Sequence, residues 1–141
     1  MIDDLAPPLV PAVAYDDAPA GIRWLTDVLG LRVVRTFAMP DGTIAHAELA
    51  WRTSMVFVHT RPGKENPWSV VGRASIALAV DTADDVDRHY DRARAGGADI
   101  VRHAYDSKTP AFPDGSRQFD VRDPEGNLWT VGTYRPRLDT A

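Results

Sequence analysis

Residues 75–81 read Ser75-Ile76-Ala77-Leu78-Ala79-Val80-Asp81, and the alternation in that run decides how the chain folds. A strand points successive side chains to opposite faces. Ile76, Leu78 and Val80 therefore share one face, while Ser75, Ala77 and Ala79 share the other. The large residues need a packed partner such as a helix, and the small ones leave space. A sheet packed on both sides does not leave such gaps. The run predicts helices on one side of a sheet and a cavity on the other.

Working outward, Thr82 and Asp85 form a capping-box pattern, with Asp in place of Glu, at the head of a helix predicted over Ala83–Ala95. Val86, Tyr90 and Ala93 make its buried stripe, and Gly96-Gly97 ends it. A strand over Asp99–Ala104 follows. Pro110, Phe112 and Pro113 make Tyr105–Ser116 read as a stiff apolar loop, suited to a lid or a dimer contact. Pro113-Asp114-Gly115 leads into a strand over Arg117–Arg122, and Pro124-Glu125-Gly126 turns the chain into Asn127–Thr133.

The same order stands upstream. Val10–Tyr15 reads as a strand whose Val10, Ala12 and Ala14 share a face of mostly small residues. A helix runs from about Asp17 to Leu29, capped by Asp16 or Asp17, with Pro19 in its first turn and Gly30 as its stop. Strands over Leu31–Ala38, Thr43–Ala50 and Ser54–His59 follow, with turns at Pro40-Asp41-Gly42 and Arg52-Thr53. Ala14-Tyr15-Asp16 answers Ala79-Val80-Asp81, Val33-Val34-Arg35 answers Ile100-Val101-Arg102, and Asp41-Gly42 answers Asp114-Gly115. The expectation is an α+β fold of two tandem βαβββ modules, forming a curved mixed sheet around a cleft. The whole chain, 1–141, reads as a single domain, with modules at 9–60 and 73–134 and a Pro- and Gly-containing connector at 61–72.

Composition narrows the function classes. At 44% apolar residues over 141 positions, the chain can bury a core without staples. The absence of cysteine excludes disulfides, zinc ribbons and a thiol nucleophile, and fits a cytoplasmic setting. Met1 to Leu5 carries two acids and no basic run before an apolar stretch, so no signal peptide is expected. No apolar run approaches the roughly 20 residues that span a bilayer. A net charge of −4 without a basic stripe argues against nucleic acid.

The hairpin around Arg52-Thr53 carries the candidate site. A two-residue turn sets Trp51 opposite Ser54, Glu48 opposite Phe57 and His46 opposite His59. Ala47, Leu49, Val56 and Val58 then form an apolar face, and His46, Glu48, Met55, Phe57 and His59 form the other. That mixture of titratable and aromatic groups suits a ligand cleft, although an ordinary solvent face reads the same way. Trp51, Trp68, Tyr105 and Phe112 lie in or beside loops where they fit either the cleft border or a subunit interface, whereas Trp24 and Trp129 read as core. His46 and Glu48 are a candidate base and its partner, unless Arg73 or Arg117 satisfies Glu48. His46, Glu48 and His59 are also the right ligand types for a divalent metal. His89 and His103 read as surface residues, and no phosphate-binding glycine loop or nucleophile elbow appears.

With this duplication, the phrases Ser75 to Asp81 and Asp123-Pro124-Glu125-Gly126-Asn127-Leu128-Trp129 resemble the vicinal oxygen chelate superfamily over about residues 9 to 134. That superfamily includes glyoxalase I, extradiol dioxygenases and bleomycin-resistance proteins, and Asp123–Pro136 looks most like its metal-independent members. Metal-using members place one ligand on each of four central strands, and those positions carry over to Val10, Glu48, Ser75 and Thr130. Only Glu48 ligates strongly, so the expected cofactor is none and the alternative is a divalent metal through His46, Glu48 and His59. The resemblance implies a homodimer. The function expected from it is a metal-free cleft that binds a small organic molecule, such as a drug or natural product, to sequester it. Its lining is expected from His46, Glu48, Met55, Phe57, His59, Trp51, Trp68, Phe112, Ser75 and Thr130. The alternatives are a metal-dependent lyase, isomerase or dioxygenase, and a dimeric interaction module whose cleft is a subunit seam.

Overall fold

A computed structural model describes residues 8–110 and 112–136. Its elements follow one order twice. The first set is β1 (Ala12–Tyr15), α1 (Ala18–Trp24), β2 (Arg32–Ala38), β3 (Ile44–Trp51) and β4 (Ser54–Thr60). The second is β5 (Ser75–Ala79), α2 (Ala83–Ala95), β6 (Asp99–Thr109), β7 (Phe112–Arg122) and β8 (Leu128–Gly132). Each set forms one four-stranded mixed sheet, ordered β1-β4-β3-β2 and β5-β8-β7-β6. This is the duplicated α+β architecture that the sequence predicts. The chain forms two compact units, one running up to Ala74 and including Asp123–Asn127, the other made of Ser75–Arg122 and the chain from Leu128 onward.

In the first unit, the Asp17 carboxylate accepts from the Ala20 N–H and caps α1, with Pro19 in the first turn. The helix then widens into a π-helical turn over Leu25–Leu29, closed by Gly30 at φ +84°. The single predicted helix is thus α-helical only to Trp24; Leu25, Val28 and Leu29 still bury. Val13, Tyr15, Ala47, Leu49, Val56 and Val58 are buried in the same unit. Trp24, expected in the core, is only half-buried. Gly21 rests on the Tyr15 ring, where a Cβ would sit 2.9 Å from ring carbons, so only glycine lets the helix come this close. The hairpin pairs Trp51 with Ser54, Leu49 with Val56 and Glu48 with Phe57, the register that the two-residue turn dictates.

The Asp-Pro-Glu-Gly-Asn turn locks this unit. Asp123 is buried and accepts from the Tyr15 hydroxyl at 2.7 Å, from the Glu125 and Asn127 N–H groups at 3.0 Å each, and from Asn127 Nδ2 at 2.8 Å. The Glu125 carboxylate accepts from the Asp16 and Asp17 N–H groups just ahead of α1. Asn127 Oδ1 accepts from the Ala74 N–H at 2.9 Å. Burial, reinforced by the Asp123 charge, pushes the Tyr15 hydroxyl far above the ordinary phenol range.

In the second unit, Thr82 and Asp85 complete the capping box on α2. Leu78 and Val80 are buried while Ala77 is exposed, as the alternation requires. Trp129, Phe119, Val121 and Val131 form the core with Val86 and Ala93. The structure overturns the lid reading of Tyr105–Ser116. β6 and β7 are each 11 residues long and pair Tyr105 with Gln118, Asp106 with Arg117, Ser107 with Ser116 and Thr109 with Phe112. The ladder shifts register between Ser107 and Thr109, opposite the stretch that holds Pro113, and an irregular position of this kind tolerates proline. Among the described residues, no helix is long and apolar enough to cross a membrane.

Candidate functional site

The face of the first sheet turned away from α1 carries the candidate site. Strand register sets its members side by side: Ala12 beside Phe57, Ala14 beside His59, Glu48 beside Phe57, Arg35 beside Glu48 and Phe37 beside His46. Of the small residues that share a face on β1, Ala12 lines the open space while Ala14 is buried. A cavity of about 510 Å³ opens there, lined by Ala12, His46, Phe57, His59, Arg61 and Trp68 among others.

Aromatic contacts shape its walls. The His46 ring stacks on Phe37 at 6.2 Å between centroids and meets Phe57 edge-on at 4.8 Å. Across the cavity, Trp68 stands edge-on to His59 at 6.0 Å. His59 Nε2 lies 3.0 Å from the Trp68 carbonyl oxygen. A carbonyl only accepts, so this nitrogen carries the proton and donates. The Trp68 N–H in turn donates to Asn66 Oδ1, and Ser69 Oγ donates to the Gly63 carbonyl. These bonds hold a connector residue that is 62% exposed against the cavity mouth.

Glu48 does not project into this cavity as a free carboxylate. Its Oε1 pairs with Arg35 Nε at 2.8 Å, and its Oε2 lies 3.7 Å from His46 Nε2. The partner is Arg35, not Arg73 or Arg117. Arg117 instead donates from Nε to Asp87 and from Nη1 to Asp106. The second module repeats the arrangement: Arg102 Nε donates to Asp120, which also accepts from Thr130 Oγ1 at 2.5 Å. The bond to Asp120 pushes the Arg102 pKa further up.

The structure therefore gathers His46, Phe57, His59 and Trp68 around one cavity. Glu48 and Met55 share the sheet face without lining it. Trp51 closes β3 at the hairpin turn. Phe112, Ser75 and Thr130 belong to the second unit, where Phe112 packs on Tyr134 at 4.2 Å and Ser75 is exposed. Ala12 was legible from residue size; Arg61 and Phe37 were not singled out, because nothing in the sequence sets the connector against the sheet or fixes the β2 register.

The family metal positions do not fit an ion. Val10 has no side-chain donor atom, Glu48 is held by Arg35, and the Thr130 hydroxyl donates to Asp120. The displaced set of His46, Glu48 and His59 does not assemble either. Among the described residues, no three His, Cys, Asp or Glu side chains converge as ligands. The reason is visible in the register: Glu48 leans to Arg35 and His59 is committed to the Trp68 carbonyl.

Comparison with known proteins places these features in a family. The model of the Glyoxalase/Bleomycin resistance protein/Dioxygenase superfamily matches residues 8–131. Among solved structures, TioX from Micromonospora sp. ML1 is 31% identical, with 90% of this chain and 98% of that chain covered and a TM-score of 0.68. A lactoylglutathione lyase from Agrobacterium tumefaciens is 24% identical, with 90% and 94% covered and a TM-score of 0.66. An integron cassette protein of V. Cholerae is 20% identical, with 93% and 98% covered and a TM-score of 0.65. The last two likenesses show the fold alone. No curated protein sequence matches this chain significantly.

Proposed function

The chain belongs to the glyoxalase/bleomycin resistance protein/dioxygenase superfamily, and on that premise we propose that it binds a small organic molecule in the first-unit cavity, without a metal, and acts by sequestering it. The observation that carries this reading is the aromatic enclosure of His46, Phe57, His59 and Trp68 around about 510 Å³. That volume matches an ordinary ligand site, roughly 300–1,000 Å³. Aromatic walls contribute large contact area to a flat body, so a drug or natural product with a planar ring system is the favoured occupant. No proton-transfer step is assigned, because Arg35 holds Glu48.

The test is a thermal-unfolding screen of the purified protein against planar natural products and antibiotics. A ligand present at 100 times its Kd stabilises the folded state by about 2.7 kcal/mol. Recovery of the compound unchanged supports sequestration; conversion to a product supports an enzyme instead. A second copy of the chain is the proposed protein partner. Edge strand β2 is exposed along its whole length and presents Val33, Val34 and Phe37, an edge that a monomer would leave prone to pairing. Light scattering that gives only monomer would remove that partner.

A further inference from the structure

We propose that the molecule held in the first-unit cavity carries an anionic group and that Arg61 and Arg73 receive it; this rests on reading that cavity as a binding site. The chain has a net charge of −4, yet among the described residues no Asp or Glu lines the cavity. Its polar lining includes His46, His59 and Arg61. A recess of about 310 Å³ shares Arg61 with it and is lined by Arg61, Ser69, Val70, Val71 and Arg73, again with no acid among the described residues. Arg61 lines both spaces. A flat body against Phe57 and Trp68 therefore sets a substituent next to Arg61 and within reach of the recess.

The two guanidinium groups are not cancelled by the protein. Arg61 pairs with Asp16, itself 58% exposed, and its backbone N–H is fixed by the Tyr15 carbonyl at 2.8 Å. Arg73 has no carboxylate partner among the described residues. One acid thus faces two cations. Glu48, the carboxylate beside His46, is already neutralised by Arg35. An arginine fork matches the paired oxygens of a carboxylate or phosphate, whereas a neutral group gains nothing from the excess charge.

Isothermal titration with 2-naphthoate, 2-naphthyl phosphate, 2-naphthamide and 2-naphthylmethylamine tests this, since the four share one flat body and differ in charge. Both anions are expected to bind about tenfold or more tighter than the amide, with the amine weakest. Arg73→Gln and Arg61→Gln should each shrink the advantage and leave the amide unchanged, and high salt should shrink it further. The tighter of the two anions identifies the group as carboxylate or phosphate. Equal binding of amide and anions, or an advantage untouched by Arg73→Gln, overturns the anion proposal while the cavity reading stands. Binding by none of the four overturns the cavity reading for flat aromatics, and this proposal with it.

Discussion

The Tyr15 hydroxyl donates to the Asp123 carboxylate at 2.7 Å across 108 residues of chain. The bond joins the first strand to the Asp-Pro-Glu-Gly-Asn turn and lies entirely inside the first unit. Each polar member of the turn has a structural partner: Tyr15 for Asp123, the Asp16 and Asp17 N–H groups for Glu125, and the Ala74 N–H for Asn127.

Tyr15→Phe should destabilise the protein by roughly 1.5–3 kcal/mol, the range for a hydrogen bond to a charged group. It should also change the alkaline limit. The phenol is neutral in the folded state with its pKa raised by burial and by Asp123. Its stabilising contribution is therefore full below about pH 10, the unfolded value, and falls as pH rises above that. Denaturant unfolding between neutral and alkaline pH should show a shallower decline in Tyr15→Phe than in wild type.

Gly72→Ala should destabilise by more than about 2 kcal/mol. Gly72 sits at φ +70°, and an added Cβ would lie 2.4 Å from the Glu125 carbonyl oxygen, a backbone atom. Gly63→Ala, in the same connector with nothing within 4 Å of its Cβ, should stay within about 0.5 kcal/mol. Urea midpoints of the two variants check this directly.

His59→Ala should weaken any compound found in the screen by about tenfold, near 1.4 kcal/mol. His59 both faces the cavity and donates to the Trp68 carbonyl at 3.0 Å, so its loss releases one wall as well as removing another. The thermal midpoint without ligand should move little, because both residues lie outside the core. A compound that binds the variant as tightly as wild type would place the ligand elsewhere.

Much of this was legible in the sequence, and the limits are instructive. Turn length alone set the β3–β4 register, because a two-residue turn admits one pairing and the alternation then sorts every side chain. The partner of Glu48 was not legible. Arg35 reaches it only through the β2–β3 register, which is shifted between Val33 and Arg35. The duplicated Val33-Val34-Arg35 and Ile100-Val101-Arg102 phrases held the clue, since both arginines meet a carboxylate on the next strand. Tyr105–Ser116 was misread because its prolines mark a register shift within a hairpin, which looks like a loop when pairing is unknown. Arg61 lies in a connector without periodicity, where nothing local fixes direction; Trp68 of the same connector was expected at the cleft only because it is a large aromatic side chain in a loop.

The central claim is that the first-unit cavity is a ligand site, and a cavity-filling variant tests it most directly. Ala12 lines the space from β1 and belongs to no part of the buried core. Ala12→Phe should occupy the volume beside Phe57 while the fold persists, as judged by an unchanged circular dichroism spectrum. Isothermal titration of a screened compound against both proteins should show binding to wild type and none to Ala12→Phe. Equal affinity for the two would contradict the account.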